Sequence, residues 1–242
     1  MHSTSPAQDL MPEAALQAEL LPSLGHLVRG LSALFWGLPL TLLVCFYTAR
    51  AETLKSYGIL PPLVSTGLLV YGLWQMGSFQ KQERVWRGAL DRARILALVI
   101  FGLSPFLFWW NKVPNVVFFL TMSLAFTLAA LLFLASLNVV LQRLGAMLPD
   151  EALRLEIKQF TALNLSLLLM TFAITVAYFS VTYLGGRHLQ KFPFWLSLIG
   201  DIIERGSPWF LIVLVLLPLA MTMALLWKTK EVILESVFKT ER

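Results

Sequence analysis

Apolar positions along this chain run together in long blocks, and charged residues gather in short stretches between them. Between Arg29 and Arg50 lie twenty uncharged residues; Lys55 to Lys81 encloses twenty-five, Arg94 to Lys112 seventeen, Lys112 to Arg143 thirty, Lys158 to Arg187 twenty-eight and Arg205 to Lys228 twenty-two. A helix rising about 1.5 Å per residue needs about 20 apolar residues, within a range of roughly 17–25, to cross a hydrocarbon layer. A charge at the centre of that layer costs at least about 2.5 kcal/mol, so charges mark where such helices end. The blocks predict six membrane-spanning helices, at about 31–48, 59–78, 95–111, 115–140, 161–184 and 208–227. The expected fold is an all-α polytopic transmembrane bundle: an amphipathic N-terminal segment (1–30), a six-span domain (31–227) and a C-terminal helix (228–242). A five-span arrangement, with one block buried or re-entrant, is the alternative.

The charged stretches have a pattern of their own. In residues 80–94, Val85, Trp86, Ala89, Leu90 and Ala93 share one face of a helix, and Arg84, Arg87, Asp91 and Arg94 lie on another. This pattern predicts an amphipathic helix lying at the headgroup level, with Trp86 as an interfacial anchor. Arg84, Arg87, Arg92 and Arg94 are its expected contacts to lipid headgroups or to a partner. The N-terminal segment reads as a second surface helix, with Pro12 and Glu13 in its first turn, Leu16, Leu20 and Leu21 as its stripe and Pro22 interrupting it. Residues 149–157 echo residues 12–20, with four of nine positions identical, which outlines a surface helix followed by a hairpin, three times over. In the tail, Ile233, Leu234, Val237 and Phe238 share a face. Residues 185–207, with Phe192-Pro193-Phe194-Trp195, read as a helix in the opposite interface, a candidate lid or docking element.

Charge sets the orientation. With six spans, thirteen Lys and Arg fall on one side and six on the other, so both termini are expected in the cytoplasm. The net charge of +5 then reflects topology and does not imply nucleic acid. Only 14% of the residues are charged and the mean hydropathy is +0.73, again placing the chain in a bilayer. A bacterial inner membrane is preferred to a eukaryotic one. The single cysteine, Cys45, excludes an intrachain disulfide and a cysteine-rich metal site. The polar start has no basic region before a short apolar core, so it does not read as a signal peptide.

Within the spans the polar residues are few. Asn164, Thr171, Thr175, Tyr178 and Thr182 follow one another by seven, four, three and four residues, which places them on one stripe of the fifth span. Hydrocarbon cannot satisfy them, so the stripe must face other helices or a wet cavity. Tyr71, Gln75 and Ser78 share a face of the second span. Gly37-Leu38-Pro39, Gly102-Leu103-Ser104-Pro105 and Pro218 predict kinks. Thr121, Ala125 and Ala129 form a row of small residues on span four, and Phe108, Trp109 and Trp110 beside Lys112 form an interfacial belt.

No carboxylate lies within any span, so coupling to protons or sodium through an intramembrane acid is not expected. His2, His26 and His188 fit no zinc or haem pattern, and no Walker, GxSxG or dinucleotide motif occurs. No catalytic residue, metal or cofactor is therefore assigned. The expected partners are the bilayer and a membrane protein. The expected function is that of a non-catalytic scaffold, assembly factor or accessory subunit. Two alternatives stand beside it: a transporter or channel for a neutral or lipidic solute, using the polar stripe, and a lipid-modifying enzyme using His188 and Asp201.

Overall fold

Lysine, arginine, glutamate and glutamine end an apolar block, but they are good helix formers and need not end a helix. This decides how the chain is built. The computed structural model describes the backbone of residues 7–50, 55–79, 83–147, 151–188 and 208–239, and side chains within 22–50, 56–79, 83–147, 154–177 and 214–235. Among the described residues, seven helices follow in order: α1 (Ala7–Arg50), α2 (Leu60–Met76), α3 (Arg84–Leu103), α4 (Pro105–Lys112), α5 (Val117–Ala146), α6 (Glu151–His188) and α7 (Pro208–Lys239). A single 3₁₀ turn, Lys55–Tyr57, precedes α2. Among the described residues there is no strand.

The amphipathic stretches are not separate surface helices. Residues 84–94 are the first half of α3 and run without a break into span three. The stretch around 12–20 is continuous with span one through Pro22, the segment from Glu151 with span five, and the tail with span six. The expected boundaries at 30/31 and 227/228 thus fall inside helices. Turns rich in alanine, leucine, arginine, lysine and glutamate, all good helix formers, let these helices grow past their apolar blocks. The kinks differ among themselves. Pro39 and Pro218 lie within unbroken helices, whereas Ser104-Pro105 divides span three into α3 and α4. There Ser104 turns its hydroxyl back to the Phe101 carbonyl, 2.9 Å away, and receives the Thr66 hydroxyl at 3.4 Å.

Cross-helix contacts fix the packing. His26 meets Gln75 at 2.7 Å and Thr41 donates to the Ser65 carbonyl at 2.9 Å, so α1 and α2 run antiparallel. Arg94 reaches Leu73 while Thr66 reaches Ser104, which makes α2 and α3 antiparallel. Asn138 with Asn164 pairs α5 and α6; Asn164 with Pro218, and Glu156 with Lys228, pair α6 and α7 in opposite directions. Finally α7 returns to α1, where Phe35 and Trp227 lie 5.6 Å apart. The helices form a closed ring in chain order, with α1 touching α4 and α5 touching α7 across it.

Helices long and apolar enough to cross a membrane are present: Pro22–Arg50, Arg84–Lys112, Val117–Ala146 and Arg154–Ala177. At 17 residues, α2 is about 25 Å long, shorter than a typical 30 Å hydrocarbon core. Exposed Trp36, Leu43, Phe46, Val64, Trp74, Leu163 and Leu169 turn outward, as lipid-facing side chains do.

Candidate functional site

The polar residues that the apolar blocks conceal meet in the centre of the bundle. Asn138 of α5, Asn164 of α6 and Thr222 of α7 are each wholly buried. The Asn164 side-chain amide donates to Asn138 Oδ1 at 3.0 Å and to Thr222 Oγ1 at 2.9 Å, and lies 3.2 Å from the Pro218 carbonyl. Asn138 Nδ2 donates to Thr222 Oγ1 at 3.0 Å and to the Leu134 carbonyl at 2.8 Å. The Thr222 hydroxyl gives its own proton to the Pro218 carbonyl at 2.8 Å. That oxygen therefore accepts twice and donates once, which is all it can do. Three helices are tied at one point by groups that lipid could not satisfy.

Proline explains the next turn of the stripe. Pro218 has no N–H, so the Leu214 carbonyl loses its partner within α7. Thr171 lies beside it: its hydroxyl is 2.8 Å from the Leu167 carbonyl of its own helix and 3.4 Å from Leu214 O. Thr175 bonds back to the Thr171 carbonyl at 2.8 Å. Asn164 alone of these three bonds to side chains of other helices. Tyr178 and Thr182 belong to α6, but their side chains lie outside the described ones. Asn164 Oδ1 and Thr161 Oγ1 are enclosed with no partner among the described residues.

The basic stretch divides in two. Arg84, Arg87 and Arg92 are exposed, and Arg92 Nε bonds back to the Gly88 carbonyl at 3.2 Å. Arg94 turns inward. Its Nε and Nη2 donate to the Leu73 carbonyl at 3.3 Å, Nη2 also reaches Trp74 O at 3.4 Å, and Nη1 pairs with Asp91 at 3.3 Å. The guanidinium stacks 5.5 Å from the Trp74 ring. It places a positive charge on the last carbonyls of α2, where the helix dipole is negative. A side chain at position 77 would overlap this guanidinium, which is why Gly77 fits there. Trp86 is the clearest departure from expectation. Its ring is fully buried, edge-on to Phe79 at 6.3 Å, and its Nε1 has no acceptor among the described residues. As the start of a packed helix, α3 buries Trp86, Ala89, Leu90 and Ala93 and leaves Val85 exposed.

The sequence matches no protein-family model, and no curated protein or solved structure matches it.

The aromatic belt has the expected company: Trp109 stacks on Phe119, and Lys112 Nζ lies 5.5 Å from the Trp109 ring. Thr121 of the small-residue row is exposed and only Ala129 is buried. Tyr71, Gln75 and His26 form a hydrogen-bonded chain at the bundle surface. The segment 189–207, with Asp201, lies outside the described residues, as does the His188 side chain. Among the described residues, no three His, Cys, Asp or Glu gather as a metal site would require.

Arg94→Leu is expected to destabilise the fold by about 1–2 kcal/mol, because it removes the charge from the α2 carbonyls and leaves Asp91 unpaired. Arg92→Leu, on the exposed side of the same helix, should stay within about 0.5 kcal/mol. Thermal unfolding of the two variants in one detergent checks the difference.

Proposed function

We propose that this chain is a non-catalytic integral membrane subunit, a scaffold or accessory component that holds a partner membrane protein. It crosses the bilayer six times with both termini in the cytoplasm. The observation that carries this reading is how the polar stripe of α6 is used. Asn164 is bound to α5 and α7, and Thr171 and Thr175 bond back to carbonyls of α6 itself, so these groups are already engaged within the protein instead of lining a path for solute. A transporter of a polar solute needs such groups free to bind it.

Antiparallel packing supports the orientation. It brings the starts of α3 and α6 and the ends of α2, α5 and α7 to one end of the bundle. That end carries Arg84, Arg87, Arg92, Arg143, Arg154, Lys158, Lys228 and Lys230. Positive charge of this density stays in the cytoplasm. At 17 residues, α2 spans by drawing the bilayer slightly thinner around it. The helices that extend past their apolar blocks then stand in the cytoplasm as rigid posts, and a partner docks between them.

Purification of the full chain in a mild detergent, with native mass and identification of what accompanies it, tests the proposal. A membrane protein at fixed stoichiometry is expected, lost on charge reversal of Arg84 and Arg154. A chain that comes alone, or only with copies of itself, overturns the accessory role.

A further inference from the structure

Two helical stripes face each other along the outside of α2 and α3. Gly67, Val70, Trp74 and Gly77 line one side of the crevice, and Arg87, Asp91, Arg94, Leu98 and Phe101 line the other. The spacings of three, four and three on α2, and four, three, four and three on α3, are those of a single helix face. With the two helices antiparallel, Gly77 lies opposite Asp91 and Gly67 opposite Phe101.

The crevice changes character along its length. Its apolar part, between Gly67 and Leu98, is an open groove of about 440 Å³. Gly67 makes the room: a Cβ there would already touch the Phe101 ring at 3.6 Å. Its charged part is a pocket of about 220 Å³ with Trp86, Arg87, Asp91 and Arg94 in its walls. The Arg94–Trp74 stack stands between the two parts, with Arg94 in the wall of one and Trp74 in the wall of the other.

Cation chemistry at the charged end is unequal. Arg94 is committed to the α2 carbonyls, and Asp91 is paired with Arg94. Arg87 is exposed and its guanidinium has no partner among the described residues. The buried indole N–H of Trp86 also lacks an acceptor there. The α3 amino end begins one turn away at Arg84, and Glu83 at its cap makes no side-chain hydrogen bond to it. In the pocket wall the free Arg87 guanidinium favours an anion, and with Asp91 held by Arg94 it is the cation left to bind one.

We propose that this crevice holds one anionic phospholipid, with its phosphate at Arg87, in the pocket that Trp86 backs, and an acyl chain along the groove to Gly67 and Phe101. The proposal rests on the membrane location and not on the accessory role. The occupant is a lipid and not a free phosphate because an apolar groove follows the charged pocket along the same two helices, past the Arg94–Trp74 stack, with the exposed side chains of Trp74 and Leu98 in its walls. Arg87 supplies the selectivity, and Arg94 shapes the pocket.

Native mass spectrometry of the full chain, after exchange into mixed phosphatidylglycerol and phosphatidylcholine, tests this. One phosphatidylglycerol is expected to stay bound, at least about tenfold more firmly than phosphatidylcholine. Arg87→Gln should bring the two lipids level while leaving the melting temperature unchanged. Leu98→Trp, which fills the groove, should release the lipid with Arg87 in place. Equal retention of both lipids by the unaltered chain, or retention that Arg87→Gln does not change, overturns the proposal. Displacement of the lipid by water-soluble glycerol phosphate at equal concentration also overturns it, since the groove would then contribute nothing. Partner co-purification is a separate readout, so the two proposals fail independently.

Discussion

Replacing Asn164 by leucine is expected to cost about 2–3 kcal/mol of stability, the largest loss from any single polar substitution in the bundle. The side chains are nearly the same size, so the loss comes from hydrogen bonding. Asn138 Oδ1 and one lone pair of Thr222 Oγ1 would lose their donor in a fully buried site. The same asymmetry predicts a partial rescue. Converting Asn138 and Thr222 to leucine and valine as well leaves no stranded partner, and the triple variant should recover much of the loss. Denaturant titration of the chain in mixed micelles gives both numbers. If Asn164→Leu melts with the unaltered chain, the three-helix tie contributes nothing and the stripe must have another use.

Gly30→Ala is expected to be nearly as damaging, by about 2–3 kcal/mol, although it adds only one methyl group. A Cβ at position 30 would lie 2.7 Å from the Gly72 carbonyl oxygen and 2.7 Å from Met76 Cγ. Backbone cannot step aside as a side chain can, so α1 and α2 must separate. Gly72→Ala is expected to cost less, because its nearest obstacle is Leu34 Cγ at 2.9 Å, on a side chain with other rotamers. Gly88→Ala in α3 meets nothing within 4 Å and should stabilise the helix by about 0.5–1 kcal/mol. Melting temperatures should rank Gly88→Ala highest, then Gly72→Ala, then Gly30→Ala. Any other order would show that the α1–α2 contact is looser than its atoms imply.

These two sites mark how far the sequence could be read. The apolar blocks locate the helices of the ring, because hydrocarbon excludes charge and that rule needs no neighbour. The stripe from Asn164 to Thr175 announces that α6 faces protein, since its groups need partners. The names of those partners were hidden. Asn138 stands alone in an apolar run, and Thr222 is one threonine among several. Pro218 was legible as a proline within an apolar helix, but not as the source of a carbonyl that Thr171 lies beside. The close passage at Gly30 and Gly72 left a faint signal, as Gly30 and Gly37 are seven apart and so are Ser65 and Gly72. Charge misled in one way. It marked where apolar blocks end and suggested that helices end there too, yet α1, α3, α6 and α7 run on through their basic turns. Trp86 shows the cost of that: beside four arginines it reads as an interfacial anchor, and the helix that carries it buries it.

The contact between Phe35 and Trp227 also sets an order of events in the making of this protein. It joins the first helix of the ring to the last. At about 5–20 residues per second, the roughly 190 residues between these rings take on the order of 10–40 s to be synthesised. Throughout that interval the flank of α1 around Phe35 lacks Trp227, while α2 is already at hand on its other side. The nascent chain is an open arc of helices, and it becomes a ring only when α7 has been made.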